Sequence, residues 1–150
     1  RAIAFALADA GALKLRIVDI DPKRAEALAR ALPAGARAEI ATDIDAAVSD
    51  AVGLINGTPI GMSPNTDSPI PTHLLRPHHW VADAVYSPLW TPLLKAAHAR
   101  GAKLATGREL AIAQAIDAFQ LFTGLEPSPI AMSAALDRVI AARGSDPLAA

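Results

Sequence analysis

The chain has 150 residues, 52% of them hydrophobic, with 14 Lys and Arg against 15 Asp and Glu and no cysteine. This composition predicts one globular domain with a substantial core. The near-neutral charge gives no reason to expect nucleic acid or an anionic membrane as a partner. The lack of cysteine excludes disulfides, zinc–thiolate sites and a thiol nucleophile, and no membrane span or signal peptide is recognisable, so we expect a cytoplasmic protein.

The first third of the chain has the pattern of short helices alternating with short strands. Apolar residues at 3, 6, 7 and 10 repeat with helical spacing, and Gly11 is a typical helix stop. Asp21 and Pro22 are a typical cap and first residue of the next helix. The elements predicted here are a helix over 1–10, a strand over 15–19, a helix over 22–32, a strand over 36–41, a helix over 43–50 and a strand over 52–56.

The remainder opens with a long loop and then alternates again. Residues 57–72 hold four prolines and two glycines, which predicts a loop after the 52–56 strand. Thr91 and Pro92 are a typical helix start. The elements predicted here are a strand over 80–85, a helix over 91–100, a strand over 103–106, a helix over 108–122 and a last helix that carries Met132, Leu136, Val139 and Ile140.

This alternation predicts the α/β class, with a doubly wound, mostly parallel sheet of the Rossmann type. No G-x-G-x-x-G or Walker-type motif occurs, because the sequence begins within the helix that would follow the first strand and its glycine-rich turn. We therefore expect residues 1–150 to form a dinucleotide-binding domain without its first strand. That strand is central in such sheets, so the strands at 15–19 and 52–56 should each have an unpaired edge.

Ligands of such sheets bind at the carboxyl ends of the strands. Asp19 lies at one of these ends, where a dinucleotide-binding domain places the carboxylate that binds the adenosine ribose. It is equally a common residue at the entry to a helix. If Asp19 binds the ribose, Ile20 provides no cation for a 2′-phosphate, which favours NAD over NADP.

Other chemistries have little support. His73, His78 and His79 lie near one another but have no acidic or cysteine ligand at suitable spacing, so we expect no metal site. No G-x-S-x-G motif is present, which argues against a serine hydrolase. Gln114 lies in an apolar part of a predicted helix, either as a buried structural amide with internal partners or as a ligand of a polar substrate.

Three motifs occur in an order and spacing that resemble one family. They are Asn56-Gly57-Thr58-Pro59-Ile60-Gly61-Met62, then Asp83-Ala84-Val85-Tyr86-Ser87-Pro88 with Thr91-Pro92-Leu93-Leu94, and Gly107 followed by Gln114 and by Ala118–Gly124. With them, nearly the whole chain resembles the nicotinamide-binding half of the shikimate dehydrogenases. The segments 18–21 and 122–127 are most similar to the NAD-preferring quinate/shikimate dehydrogenase branch.

The resemblance implies hydride transfer between NAD, or less favourably NADP, and shikimate/3-dehydroshikimate or quinate/3-dehydroquinate. The residues it implies for substrate binding are Tyr86 and Gln114. The residues it implies for cofactor binding are Asp19, Arg24, Thr58, Pro59, Ala84, Gly107 and Leu110. The acid–base pair of the family, a Lys and an Asp, belongs to an N-terminal substrate domain that is absent here. No residue of this sequence is therefore a catalytic candidate, and the chain alone is expected to be inactive.

Departures from the family pattern keep alternatives open. Trp90 stands where an acidic residue is common, and Thr106 stands where an Asp commonly precedes the glycine. The alternatives are a non-catalytic nucleotide- or metabolite-sensing module and a paralogue that acts on another small hydroxy acid. The expected partners are a small cyclic hydroxy acid and the N-terminal domain of the same protein, with a homodimer as a further candidate and with neither nucleic acid nor membrane.

Overall fold

The computed structural model describes residues 1–142, which fall into two compact units, Arg1–Ala51 and a second unit that begins at Val52. Every helix and strand predicted from the sequence is present, with small differences at the ends. All the strand pairs are parallel. The prediction of the α/β class with parallel sheets is confirmed.

The first unit is built from capped helices and a two-stranded sheet. Its elements are α1 (Ala2–Asp9), β1 (Leu15–Ile17), α2 (Pro22–Ala31), β2 (Ala38–Ile40) and α3 (Ile44–Ser49). Asp21 and Asp43 cap α2 and α3, since each carboxylate accepts a hydrogen bond from a backbone N–H of the first turn. β1 and β2 pair in parallel, with Leu15 opposite Ala38.

An ion pair ties β1 to the helix that ends this unit. The Arg16 guanidinium binds both carboxylate oxygens of Asp50 and also donates to the Ala47 carbonyl at 3.0 Å. This bidentate pairing lowers the pKa of Asp50 to about 2. The pair is exposed to solvent, so it orients β1 and the end of α3 more than it stabilises them.

The second unit contains a three-stranded parallel sheet in the order β3–β4–β5. Its elements are β3 (Gly53–Asn56), a 3₁₀ turn (Thr72–Leu74), β4 (Trp80–Asp83), α4 (Pro92–Ala99), β5 (Lys103–Ala105), α5 (Gly107–Thr123) and α6 (Pro129–Ala142). Asn56 and Asp83 lie opposite each other at the carboxyl ends of β3 and β4. The register therefore brings the segments that follow these two strands to the same edge of the sheet.

The core of the second unit lies against the central strand β4. Its fully buried side chains are Leu75, Val81, Leu93, Leu94 and Ala97. Trp80 covers the start of β3 so closely that a Cβ added at Gly53 would lie 2.0 Å from its indole ring.

The two last helices are joined by a second bidentate ion pair. Arg108, near the start of α5, binds Asp137 of α6 at 2.7 and 2.8 Å and donates to the Ser133 hydroxyl at 2.6 Å. The guanidinium lowers the pKa of Asp137. α6 is thereby held beside the N-terminal end of α5.

Two of the strands, β1 and β3, have an unpaired edge among the described residues. Within residues 1–142, β1 pairs only with β2, and β3 pairs only with β4. Each of these strands has one edge without a partner strand. No helix in that part of the chain is long and apolar enough to cross a membrane.

His79 is a buried histidine in a neutral form. Its ring is 1% exposed, and its Nδ1 accepts a hydrogen bond from the backbone N–H of Arg76 at 3.1 Å. Nε2 then carries the proton, and it is buried without a hydrogen-bond partner among the described residues. Burial, followed by the nearby His78 and Arg76, lowers the pKa of His79 from its usual 6.5.

This shift predicts a loss of stability in mild acid. The unfolded chain binds a proton at His79 near pH 6.5, whereas the folded chain resists it, so the free energy of unfolding decreases as the pH falls below about 6.5. In the full-length protein, denaturant unfolding between pH 8 and 5 measures this slope, which one proton limits to about 1.4 kcal/mol per pH unit. His79→Leu should flatten the slope and the exposed His73→Leu should not, whereas equal slopes in both variants would contradict the assignment.

Candidate functional site

A pocket lies where the carboxyl ends of β3 and β4 meet. It has a volume of about 220 Å³. The two segments that follow these strands provide its walls. The lining residues are Thr58, Pro59, Met62, Ala84, Val85, Tyr86 and Ser87. The walls are largely apolar, with hydroxyl groups from Thr58, Tyr86 and Ser87 as the polar side-chain groups.

The first wall is the beginning of the long loop after β3, and internal hydrogen bonds hold it. Asn56 Oδ1 accepts from the backbone N–H of Thr58 at 2.9 Å and from its hydroxyl at 2.7 Å. The N–H of Met62 donates to the Pro59 carbonyl at 3.0 Å. Asn65 Oδ1 accepts from the N–H of Gly61 at 3.0 Å. These bonds give Thr58 and Pro59 a defined position at the pocket.

The second wall, Ala84–Ser87, is held by β3 and by its own strand. The Ala84 N–H donates to the Asn56 carbonyl at 2.9 Å, and the Val85 N–H donates to the carboxylate of Asp83 at 2.9 Å. The two walls are also joined directly, because the Ser63 N–H donates to the Ser87 carbonyl at 3.1 Å. The pocket is therefore bounded by two segments that support each other.

Gly107 begins α5 directly against the second wall. It is buried, and a Cβ at this position would lie 2.4 Å from the Val85 carbonyl oxygen and 2.9 Å from that of Ala84. Both atoms belong to the backbone and cannot swing away. The close approach of α5 to the wall therefore requires glycine.

Thr106 caps α5 beside this contact. Its hydroxyl oxygen accepts from the Arg108 N–H at 3.3 Å and donates its proton to Glu109 at 2.7 Å. An Asp at this position would cap the helix equally well, since both residue types are favoured caps. The departure from the family pattern at Thr106 therefore leaves the start of α5 intact.

The two substrate-binding candidates differ in their surroundings. Tyr86 lines the pocket and is 49% exposed. Gln114 lies on α5, one turn beyond Leu110 and two turns beyond Gly107, so the three positions share one face of the helix. The side chain of Gln114 is exposed. The interpretation of Gln114 as a buried structural amide is wrong, because that face of α5 is uncovered by the described residues. Leu110 is half-buried on the same helix.

The remaining cofactor candidates belong to the first unit. Asp19 is exposed just beyond β1, and its Oδ1 accepts from the Asp21 N–H at 2.9 Å, which forms the turn into α2. Ile20 is 98% exposed. Arg24 lies one turn into α2 with its guanidinium 3.5 Å from Asp21. The turn role of Asp19 is thus real, and it occupies one of the two carboxylate oxygens.

The histidines do not form a metal site. Within the part of the chain that the structure describes, no group of three or more His, Cys, Asp or Glu side chains could hold a metal ion. His78 and His79 contact each other edge to face, with ring centroids 4.5 Å apart.

Sequence reasoning missed the polar residues behind the pocket walls. Asn56, Asp83 and Thr91 are at most 3% exposed, and Asn56 and Thr91 each donate a hydrogen bond to Asp83. All three lie in the quoted motifs, and Asn56 also ends a predicted strand, which is the signal that could have identified them. Met62, Val85 and Ser87 were missed as pocket residues for a simpler reason, since which loop residues face inward depends on the turns.

Parallel strands with crossover helices and a pocket at the strands' carboxyl ends define a Rossmann-like nucleotide-binding fold. No family model matches the chain. It is 45% identical over 131 residues to a quinate/shikimate dehydrogenase (NAD(+)) of Corynebacterium efficiens, a match that covers 84% of this chain and 46% of that protein. A shikimate dehydrogenase (NADP(+)) of Pseudarthrobacter chlorophenolicus is 38% identical over 146 residues, which are 94% of this chain and 50% of that protein.

The fold comparison agrees with the sequence comparison. The structure of quinate dehydrogenase from Corynebacterium glutamicum in complex with NAD superposes with a TM-score of 0.81 and 40% identity, over 88% of this chain and 49% of that one. The chain is thus homologous to the quinate and shikimate dehydrogenases over the C-terminal part of those proteins. It spans about half the length of the curated relatives it matches.

The Gly107 contact gives a test of the pocket wall. We expect Gly107→Ala to displace the Ala84–Val85 backbone, because the added Cβ would overlap the Val85 carbonyl. Denaturant unfolding of the full-length protein should show a free energy of unfolding lower by about 1–3 kcal/mol. Gly35→Ala is the matched control, since a Cβ there meets no atom within 4 Å. Equal stability of Gly107→Ala and the control would contradict the close contact between α5 and this wall.

Proposed function

We propose that the protein carrying this chain transfers a hydride between NAD and a small cyclic hydroxy acid, shikimate or quinate, and that this chain supplies its cofactor-binding half. The observation that carries the proposal is the gathering of Thr58, Pro59, Ala84 and Tyr86 in one pocket at the carboxyl ends of β3 and β4. The family resemblance assigns those same four residues to cofactor and substrate. The homology to enzymes of this activity supports the proposal.

The pocket has the chemistry needed for the nicotinamide end of the cofactor. A flat heteroaromatic ring can pack against the apolar groups of Pro59, Ala84 and Val85, and hydroxyl groups at the rim can bind its polar substituents. The close approach of Gly107 leaves the start of α5 beside the same wall. When bound there, NAD supplies the carbon that accepts the hydride. The chain's own contribution is to hold that ring in place.

The preference for NAD is part of the proposal and rests on the turn after β1. The free carboxylate oxygen of Asp19 can accept hydrogen bonds from the two ribose hydroxyls, whereas it would repel a 2′-phosphate. Ile20 adds no compensating cation, and its side chain is exposed. The first turn of α2 carries two cations, Lys23 and Arg24, and Arg24 is paired with Asp21. NAD is therefore favoured over NADP.

The substrate side is proposed for Tyr86 and Gln114. The phenol of Tyr86 is half-exposed at the pocket rim, and the amide of Gln114 is exposed on the helix that starts at Gly107. Both groups can donate and accept hydrogen bonds, as binding of a hydroxylated carboxylate requires. Oxidation of the substrate alcohol also releases the hydroxyl proton to a base. We assign that base to the separate N-terminal domain, and expect the chain alone to be inactive.

Steady-state assays of the full-length protein test the proposal, with shikimate and quinate each offered NAD and NADP. We expect oxidation of at least one acid with NAD as the better cofactor. Ile20→Arg should raise the ratio of kcat/KM for NADP to that for NAD about 10- to 100-fold, the effect of one charge-assisted hydrogen bond to the 2′-phosphate. Ile20→Gln is the matched control, because it is polar without a charge.

Two outcomes would count against the proposal. Binding of NAD without turnover of either acid would overturn the dehydrogenase function and favour a sensing module or a paralogue with another substrate. Turnover with no effect of Ile20→Arg on cofactor choice would leave the function standing and overturn the role of the Asp19 turn.

A further inference from the structure

A buried carboxylate stands behind both walls of the pocket. Asp83 is 3% exposed at the end of β4, and it lies outside the residues that line the pocket. Its Oδ1 accepts from the Val85 N–H at 2.9 Å and from Asn56 Nδ2 at 2.9 Å. Its Oδ2 accepts from the Thr91 hydroxyl at 2.7 Å. One side chain therefore bonds to the second wall, to the end of β3 and to the cap of α4.

Asn56 connects Asp83 to the first wall. Its amide nitrogen donates to Asp83 and to the Ile60 carbonyl at 3.0 Å, and its amide oxygen accepts from the N–H and hydroxyl of Thr58. Because both partners of the nitrogen are acceptors and both partners of the oxygen are donors, the amide has one orientation. All of its hydrogen-bonding capacity is used.

The negative charge fixes the direction of every bond in the network. A carboxylate can only accept, so Asn56 and Thr91 must each present a proton to Asp83. The Asn56 oxygen must then receive the proton of the Thr58 hydroxyl, whose own oxygen accepts from the Ile60 N–H at 3.2 Å. The Thr58 oxygen therefore has no proton left to donate, and any further hydrogen bond at this oxygen is one that it accepts.

The surroundings of Asp83 are neutral. Burial raises the pKa of Asp83, and the hydrogen bonds from Val85, Thr91 and Asn56 oppose that rise. These groups carry no charge, and no ion pair joins Asp83 to a cation within the described residues. The carboxylate therefore depends on these three donors, and such charge-assisted bonds are stronger than neutral ones.

We infer that Asn56 and Asp83 are positioning residues for the cofactor pocket, which act through Thr58 and Val85 without touching the ligand. This inference rests on the proposed function. In this inference Asn56 fixes the position of Thr58 and the direction of its hydrogen bonds. Asp83 holds the two walls in position relative to each other. Thr58 is an acceptor in the same inference, so the group of the cofactor that binds it is a hydrogen-bond donor.

Asn56→Asp in the full-length protein is the sharpest test. It keeps the shape of the side chain but places a second carboxylate 2.9 Å from that of Asp83, so the pair can bond only after one of them takes up a proton. At pH 8 we expect the KM for NAD to rise at least tenfold. The groups that face this pair from the adjoining segments are the neutral N–H, hydroxyl and carbonyl groups of Thr58, Ile60, Val85 and Thr91. The increase in the KM for NAD of this variant, relative to the wild type, should therefore become smaller as the pH falls toward 6.

A second pair of variants covers the case in which Asn56→Asp does not fold. Thr91→Val removes the donor to Asp83 with little change in shape, whereas Thr91→Ser keeps the hydroxyl. We expect the KM for NAD to rise several-fold in Thr91→Val and to be closer to the wild-type value in Thr91→Ser. Partial unfolding alone would lower the apparent kcat and leave the KM for NAD unchanged, so KM separates positioning from a purely structural role.

The results separate this inference from the proposed function. An active wild type whose KM for NAD is unchanged in Asn56→Asp and Thr91→Val would overturn the positioning role and leave the function standing. A wild type that binds NAD without turnover would overturn the function. NAD dissociation constants from calorimetry then replace KM, and the same increases would support the positioning role.

Discussion

The rest of the site depends on the hydrogen bonds that the buried carboxylate of Asp83 accepts. A charge at this depth is tolerated only if hydrogen-bond donors surround it, and the donors come from three different segments. The need to satisfy one charge therefore joins the end of β3, the segment after β4 and the cap of α4. The pocket walls are loops, but their positions follow from this constraint.

The parallel register of β3 and β4 brings Asp83 close to its hydrogen-bond donors. Asn56 and Asp83 face each other only because β3 and β4 pair with their carboxyl ends together. Gly107 adds a steric condition from the other side, since α5 starts in contact with the Ala84–Val85 backbone. Electrostatic and steric requirements thus act on the same few peptide groups. A pocket held in this way suits the proposed function, in which a ring is kept at a defined angle for hydride transfer.

The sequence predicted the order of elements well because local signals marked them. Asp21 and Thr91 cap helices in the structure, as their positions before Pro22 and Pro92 suggest. Gln114 shows where such reasoning stops. Its apolar neighbours suggested burial, but exposure depends on what covers α5, and the described residues leave that face open.

The hydrogen-bond network of Asp83 could not be predicted from the sequence for a related reason. Asn56 and Asp83 are 27 residues apart, and their contact requires the strand register as well as the strand assignment. The roles of Thr58 and Tyr86 came from the family resemblance, and the pocket brings these two residues together. Composition and periodicity alone would have left both as loop residues.

We propose that the pocket between the two walls receives the nicotinamide ring. A crystal structure of the full-length protein with NAD and shikimate or quinate tests it most directly. We expect the ring to lie against Pro59, Ala84 and Val85, with the Thr58 hydroxyl accepting a hydrogen bond from the cofactor. A ring bound elsewhere, or walls displaced so that Asn56 and Asp83 are no longer bonded, would contradict it.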